Sequence, residues 1–395
     1  MPRLPKKADP PLTPASDSTL KGRRIVFVLF NLELGGAERQ ALILAKHLVE
    51  HEEAAVEVWG FNKSGPVAGM CEQLGVPWRL ASFPFKSGRV ARFASLARIA
   101  MSLRRARPDI LFPYTFVPNV ICGLVWRWTG ARACVWNQRD EGVTPFVAEW
   151  GRSAARRTPM FISNSPVGEE FLTNGLQVDP LKIRVIENGI EQSTANEDRS
   201  QWRARLRIDD DTFMACMVAN LHANKDHATL LRAWKRVVER SNGRKAVLVL
   251  AGRHDGAYES LASLARELNL NGQVRFAGQV MDVPGLLSAA DAGVFSSFIE
   301  GCPNGVLESM AAGLAVAGTN IDAIRSIVGP AGIQFLAPPR DDEALATAIL
   351  KLVNDSDLRV TIGAENKRRV REKYTAARMC ESTVSVLKEV VSNVP

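Results

Sequence analysis

Two glutamates, Glu300 and Glu308, flank a Gly-Cys-Pro-Asn-Gly turn inside DAGVFSSFIEGCPNGVLESMAAGLAVAGTN, residues 291–320. The apolar run up to Ser297 reads as a buried strand and 298–303 as a loop. Asn304 suits the N-cap of a helix over 305–312 that Gly313 stops. Free N–H groups near Gly305, Val306 and Leu307, reinforced by the helix dipole, would bind a phosphate. A carboxylate beside a phosphate is unfavourable unless it accepts bonds from neutral hydroxyls, so Glu308 suits a ribose and Glu300 a sugar. Spacing alone does not decide this, because two such glutamates also arise by chance. The surrounding strand, turn and short helix carry the reading.

Lys225, in NKDH, follows the strand-like run 213–220. An ammonium there meets the charge that builds on a leaving diphosphate, whereas in isolation the residue reads as a solvated loop lysine. Gly35 and Gly36, in NLELGGAERQ, end a loop between a strand-like run at 24–30 and a helical pattern at 36–50. Without side chains they let backbone N–H groups approach a sugar or its phosphate. Glu38, two residues further on, favours the positive end of a helix. Arg139, in VWNQRDEG, is a candidate for an anionic group on an acceptor or a partner for Asp140 or Glu141.

These groups need a scaffold that gathers strand ends. Strand-like runs near 55–60, 109–113, 132–136 and 159–163 alternate with helical patterns near 89–106, 117–129 and 166–174. A second alternation spans 212–354. Such alternation predicts α/β architecture: two Rossmann-like parallel sheets facing each other across a cleft, with ligands at the strand C-terminal ends. The polar segment 186–201 marks the boundary. The expected organisation is a disordered tail at 1–22, a Rossmann-like domain at 23–195, a second at 196–375 and a C-terminal helix at 376–395.

Composition excludes several classes. No apolar stretch approaches the roughly 18 residues that span a bilayer. The Pro- and Ser-rich N-terminus lacks the apolar core of a signal peptide, so a cytoplasmic protein is expected. Six scattered cysteines without a C-x-x-C pair read as reduced thiols, not as a disulfide framework or zinc site. The net charge of +8 is concentrated in the first 200 residues, with 26 basic and 20 acidic groups. Much of it lies between Lys86 and Arg107, where Val90, Phe93, Leu96, Ile99 and Leu103 recur at helical spacing. The segment is either a domain helix with a solvated cationic face or a contact for an anionic membrane or acceptor. Without interleaved aromatic and basic residues, nucleic acid is not an expected partner.

Several ordered motifs resemble the retaining glycosyltransferases of family 4, which have the GT-B fold. SSFIEGCPNGVLESMAAGLAVAGT is similar to their signature, GGAERQ to their N-terminal glycine loop and VANLHANKDH to their donor-phosphate loop. RVIENGI, VLVLAGRHDG and VRFAGQVMDVPGLLSAAD match the framework between, so the similarity runs from about residue 24 to 390. The resemblance implies transfer of a sugar, with retention, from a nucleotide diphosphate sugar to a glycan or lipid-linked hydroxyl. UDP is the favoured carrier and GDP the other. Front-side attack is implied, without an enzymic nucleophile, metal or other cofactor, and polysaccharide or envelope glycan synthesis is the implied setting. Glu308 would hold the ribose, Glu300 the donor sugar and Lys225 the diphosphate, with Asn304 to Leu307 at the helix start. The resemblance also implies that the domain at 23–195 is the acceptor side, that the domain at 196–375 binds the nucleotide sugar and that the helix at 376–395 packs back toward the first domain.

The chain departs from the family pattern at Asn220, where an arginine is common and where His222 would substitute in part. It departs again at Tyr114, where a histidine contacts the donor sugar; Tyr114 is therefore an acceptor-side candidate with Arg139. These departures also leave open a nucleotide-sugar binding or partner protein that has lost catalysis. Asp209, Asp210 and Asp211 match the Asp-x-Asp metal motif of another glycosyltransferase architecture. They precede their strand instead of following it and read as a surface turn.

Overall fold

The computed structural model describes residues 19–84, 88–139, 145–191 and 194–392. The first sheet contains β1 (Arg24–Leu29), β2 (Ala55–Phe61), β3 (Trp78–Ala81), β4 (Ile110–Pro113), β5 (Ala133–Gln138), β6 (Met160–Ser163) and β7 (Ile183–Val185), in the order β3-β2-β1-β4-β5-β6-β7. The second contains β8 (Phe213–Val218), β9 (Ala246–Ala251), β10 (Val274–Gly278), β11 (Ala292–Phe295), β12 (Ala315–Thr319) and β13 (Leu336–Ala337), in the order β10-β9-β8-β11-β12-β13. All pairings within both sheets are parallel.

Helices cover both faces of each sheet because the strands are apolar on both sides. Ile25, Phe27 and Leu29 enter one core cluster, while Val26 and Val28 enter the cluster on the opposite face. In the second sheet Ala215 and Met217 divide from Met214 and Cys216 in the same way. The strands that periodicity did not reveal, β3, β7 and β13, are short and lie at sheet edges. In β3 only Ala81 is buried, so there is no apolar run to read.

The order of strands reverses between β1 and β4 and between β8 and β11. At such a switch point the loops leaving the strand C-termini part and open a crevice. Gly35, Lys225 and Glu300 all lie on loops from these strands.

Two expectations need adjustment. The N-terminal tail does not extend to residue 22, because Leu20 is fully buried in the first core and the Gly22 N–H donates to the Glu53 carbonyl at 2.9 Å. Residues 1–18 lie outside the described residues, as do Lys86, Asp140 and Glu141. The six cysteines are buried and unpaired by disulfides. In the helix Arg89–Ala106, Leu96, Ile99 and Leu103 face the core as the spacing predicts, but Val90 and Phe93 remain 85% and 62% exposed. They lie in its first turns, where the Phe93 ring is 6.0 Å from that of Trp150.

The helix Ala376–Ser392 shares the first core through Met379, Val384, Leu387 and Val391, and Lys388 pairs with Glu52 at 2.8 Å. The chain thus crosses between the sheets twice. The crossings lie side by side, joined where the Ile190 N–H donates to the Tyr374 carbonyl at 2.8 Å and the Ala376 N–H to the Ile190 carbonyl at 3.1 Å.

Candidate active site in the cleft

A cavity of about 290 Å³ lies between the two switch points. Gly35, Gly36, Arg139, Asn164 and Asn188 line it from the first half of the chain, and Asn220, Lys225, Glu300, Asn304, Gly305 and Glu308 from the second. A larger, more apolar cavity of about 620 Å³ adjoins it, with Arg39, Asn304 and Glu308 on the boundary. Both volumes are on the scale of roughly 300–1,000 Å³ usual for small-molecule sites.

The wall after β8 is a 3₁₀ turn, Ala223–Lys225, followed by Asp226 in the left-handed region. Asp226 caps the helix His227–Arg240 by accepting from the Thr229 N–H at 3.3 Å. The loop after β11 docks on this turn: the Phe298 N–H donates to the Asn224 carbonyl and the Ser296 hydroxyl to the Lys225 carbonyl, at 3.1 and 2.8 Å. That packing brings Lys225 Nζ to Glu300 Oε1 at 2.5 Å, and the Ser297 hydroxyl donates to the same oxygen at 2.6 Å. Burial and the Lys225 charge push His227 down to about 4, so this neighbour is neutral near pH 7.

The helix after the Cys-Pro-Asn-Gly turn spans Asn304–Ala311, with Pro303 at its N-cap. Asn304 is therefore its first residue and not its cap. The Asn304 amide spans the cleft instead, donating to the Gly36 carbonyl at 3.1 Å and accepting from Asn188 at 2.6 Å and Gln40 at 3.4 Å. The Leu307 N–H is already engaged by the Pro303 carbonyl at 3.3 Å. Anion binding at this helix start is thus left to Asn304, Gly305 and Val306. Gly305 sits against β8, where a Cβ would lie 2.2 Å from the Val218 carbonyl. Only a glycine lets the helix start approach the strand end so closely.

Glu308 is one turn deeper and half-buried. Burial raises its carboxyl above the ordinary value, and Arg39 of the opposite domain, 3.4 Å away, pulls it back. Gly35 and Gly36 make room for side chains as well as for a ligand. A Cβ on Gly35 would lie 2.6 Å from Glu38 Oε2, and one on Gly36 would lie 3.2 Å from Asn304 Nδ2. Burial pushes Glu38 up to about 7 against its bonds to the Glu38 and Gly35 N–H groups.

On the N-terminal wall, Arg139 is 8% exposed and held by neutral oxygens, Asn137 Oδ1 at 2.7 Å and Asn188 Oδ1 at 2.6 Å. Burial lowers its pKa, and among the described residues its Nη2 has no hydrogen-bond partner. Tyr114 lies beneath it, with the guanidinium 5.5 Å from the ring centroid. Tyr114 belongs to the core, 1% exposed and packed against Phe27 and Phe112. It seats Arg139 and does not line the cavity. His222 departs from expectation too: it is exposed, its Nδ1 accepts from the Asn224 N–H at 3.4 Å, and it is not a lining residue. Asn220 does line the cavity, and its side-chain oxygen accepts from the Arg253 N–H at 3.1 Å.

Sequence reasoning did not single out Arg39, Asn164 or Asn188. Asn188 joins Arg139, Asn304 and the Cys302 carbonyl, yet an asparagine before a linker glycine carries an ordinary turn signal. Asp209 and Asp211 pair with Lys245 at 3.0 and 3.5 Å, at the end of β8 away from the cavity. Among the described residues, no group of His, Cys, Asp or Glu is placed to hold a metal ion.

Residues 198–369 match the family described as glycosyl transferases group 1, and residues 34–193 match that described as glycosyltransferase family 4. A UDP-Gal:α-D-GlcNAc-diphosphoundecaprenol α-1,3-galactosyltransferase from Escherichia coli is 26% identical over 210 residues, 52% of this chain and 54% of that protein. An N-acetyl-α-D-glucosaminyl L-malate synthase from Bacillus anthracis is 21% identical over 75% of this chain and 79% of its own. The chain spans about half the length of several of the curated relatives it matches. Among solved structures, Anabaena HepE in complex with UDP and glucose superimposes with a TM-score of 0.81 at 19% identity, covering 93% of this chain and 100% of that one. The fold is GT-B, and with both halves matched the chain belongs to the family 4 glycosyltransferases.

Proposed function

We propose that the protein transfers a sugar, with retention, from a nucleotide diphosphate sugar to a hydroxyl of a glycan or lipid-linked acceptor. The observation that carries this reading is the convergence of Lys225, Glu300 and Glu308 on the start of the helix Asn304–Ala311, at the switch point between β8 and β11. The diphosphate lies against that helix start and Lys225, whose ammonium stabilises the leaving phosphate as the anomeric bond breaks. Glu300 accepts from the donor-sugar hydroxyls and Glu308 from the ribose. The acceptor hydroxyl attacks from the side the diphosphate leaves, and its proton passes to the departing phosphate oxygen. No divalent metal is invoked, because Lys225 supplies the cation and the Asp209–Asp211 triplet lies at the far end of β8. UDP is the favoured carrier, in keeping with the UDP named for the Escherichia coli relative and for HepE.

A thermal-shift panel of nucleoside diphosphates tests donor binding, because a ligand held only by the native state raises Tm. Glu300→Gln, assayed in chelator with the stabilising donor, should lower turnover about a hundredfold while the protein still binds the free nucleotide. Unchanged turnover would remove Glu300 from its role. A wild-type protein that binds the nucleotide but neither transfers the sugar nor slowly hydrolyses the donor would be the binding protein that Asn220 and Tyr114 leave open.

A lipid-linked acceptor would bring the enzyme to the inner membrane face. Val90, Phe93 and Met101 are exposed on the helix Arg89–Ala106 together with Arg98, Arg104 and Arg105, with no acidic residue in that helix. No helix among the described residues is long and apolar enough to cross a membrane, so this contact would be peripheral. The protein should co-sediment with anionic vesicles at low salt, and Phe93→Ser should weaken that binding about tenfold or more, by roughly the free energy of one buried apolar side chain. Equal sedimentation with neutral vesicles would rule out the electrostatic part.

A further inference from the structure

Arg39 belongs to the acceptor-side domain, yet it reaches the acid assigned to the nucleotide's ribose. It lies in the second turn of the helix Gly36–Glu50 and donates from Nη1 to Glu308 Oε1 at 3.4 Å across the cleft. The two side chains are 31% and 16% exposed, so the pair is partly sheltered from water. Ribose hydroxyls can satisfy the lone pairs of Glu308, but they bring no positive charge. A carboxylate sealed under a nucleotide becomes more costly to ionise unless a cation stays with it. Arg39 has donors enough to keep one carboxylate oxygen while the hydroxyls take the other.

The other charged groups lining the two cavities are Lys46 on the same helix, Glu191 on the linker, Lys367 and Arg371 at the end of the helix Ser356–Lys373, and Arg139, Lys225 and Glu300 around the smaller cavity. Burial and Arg39 are the influences that act on the Glu308 carboxyl. Two neighbours of Arg39 fix the geometry. The Gln40 amide donates to the Gly189 carbonyl at 2.9 Å and accepts from the Gly189 N–H at 3.1 Å, and the Gly36 carbonyl accepts from Asn304. These contacts register the first turns of Gly36–Glu50 against both the linker and the helix that carries Glu308.

We infer that Arg39 is a positioning residue for the ribose grip: it holds the Glu308 carboxylate ionised and aimed, so that the ribose is read only when the two domains are closed. This rests on the reading of Glu308 as the ribose-binding acid. The inference makes one domain responsible for how the other discriminates its ligand.

The test is the dissociation constant of UDP and of 2′,3′-dideoxy-UDP, or of the guanosine pair if GDP is the diphosphate that stabilises the protein. Each is measured for the wild type, Arg39→Gln, Arg39→Lys and Glu308→Gln. The wild type should prefer the ribonucleotide by about tenfold or more, the scale of hydrogen bonds to a charged group. Arg39→Gln should reduce that preference to about threefold or less, with Arg39→Lys intermediate because it restores charge without the planar fork. UDP binding to Arg39→Gln should also weaken more than wild-type binding does as the pH falls below neutrality, since Glu308 loses the cation that keeps it ionised.

Loss of affinity by the same factor for both nucleotides, with preference and pH profile unchanged, would place Arg39 on the phosphates and overturn the inference. If the wild type shows no ribose preference, or Glu308→Gln keeps it, the ribose role of Glu308 itself fails. Should Arg39→Gln not melt cooperatively, Arg39→Lys decides alone: a wild-type preference retained in full would overturn the role of the fork.

Discussion

The two walls of the cleft present different chemistry. On the C-terminal side, ionised groups answer one another: Lys225 and Glu300 are paired, and the start of the helix Asn304–Ala311 stands beside them. On the N-terminal side the lining is glycine backbone, carboxamides and two guanidiniums: Arg39 is engaged across the cleft by Glu308, whereas the sheltered Arg139 is held by the neutral Asn137 and Asn188. The first wall suits a ligand that exchanges its own charges and hydroxyls for an existing ion pair. The second retains a cation whose Nη2 has no hydrogen-bond partner among the described residues, and suits a ligand that arrives with negative charge. On the proposed reading, the phosphates of the donor would lie on one side and an anionic group of the acceptor on the other.

Substitutions can break that assignment or sharpen it. The largest effect is expected from Lys225→Ala, which removes the charge facing the leaving diphosphate and should lower kcat by about 10²–10³-fold in a steady-state assay. An unchanged kcat would mean that the leaving group is stabilised elsewhere, with Arg39 and Arg139, which line the same cavity, the cations to examine. A smaller and different effect is expected from Arg139→Gln. The KM for an acceptor bearing phosphate should rise about ten- to a hundredfold while the donor KM changes little, because a charge-assisted bond is lost on one side only. An equal rise in donor KM would erase the distinction between the walls.

The two walls also differed in how much the sequence disclosed. Lys225 and Glu300 each follow a recognisable strand within a few residues and Glu308 sits in the short helix that the Cys-Pro-Asn-Gly turn announces, so local pattern is enough to place them. Arg139, Asn164 and Asn188 come from three separate strand ends and meet only when β5, β6 and β7 lie side by side. Arg139 was visible as a candidate, but nothing local distinguished an ion pair from the carboxamide cradle it occupies. Tyr114 was misplaced for a related reason. Its position at the end of β4 points to the cleft, and only packing against Phe27 and Phe112 reveals that the ring turns inward. His222 was read as a ligand because of its place beside Asn220, whereas its imidazole is spent on the local turn. The long strands were legible from their apolar runs, and the short edge strands were not because edges are half solvated.

The paired chain crossings at Ile190 and Thr375 have a mechanical meaning. A Cβ on Gly189 would lie 2.6 Å from the Thr375 carbonyl oxygen, so the ribbons touch backbone to backbone with no side chain between them. Two abutting ribbons resist shear and twist more than a single tether would, which confines relative movement of the halves to a swing about one line. Widening the mouth to admit a substrate or discharge a product can then proceed without scrambling the alignment that chemistry needs on the return stroke.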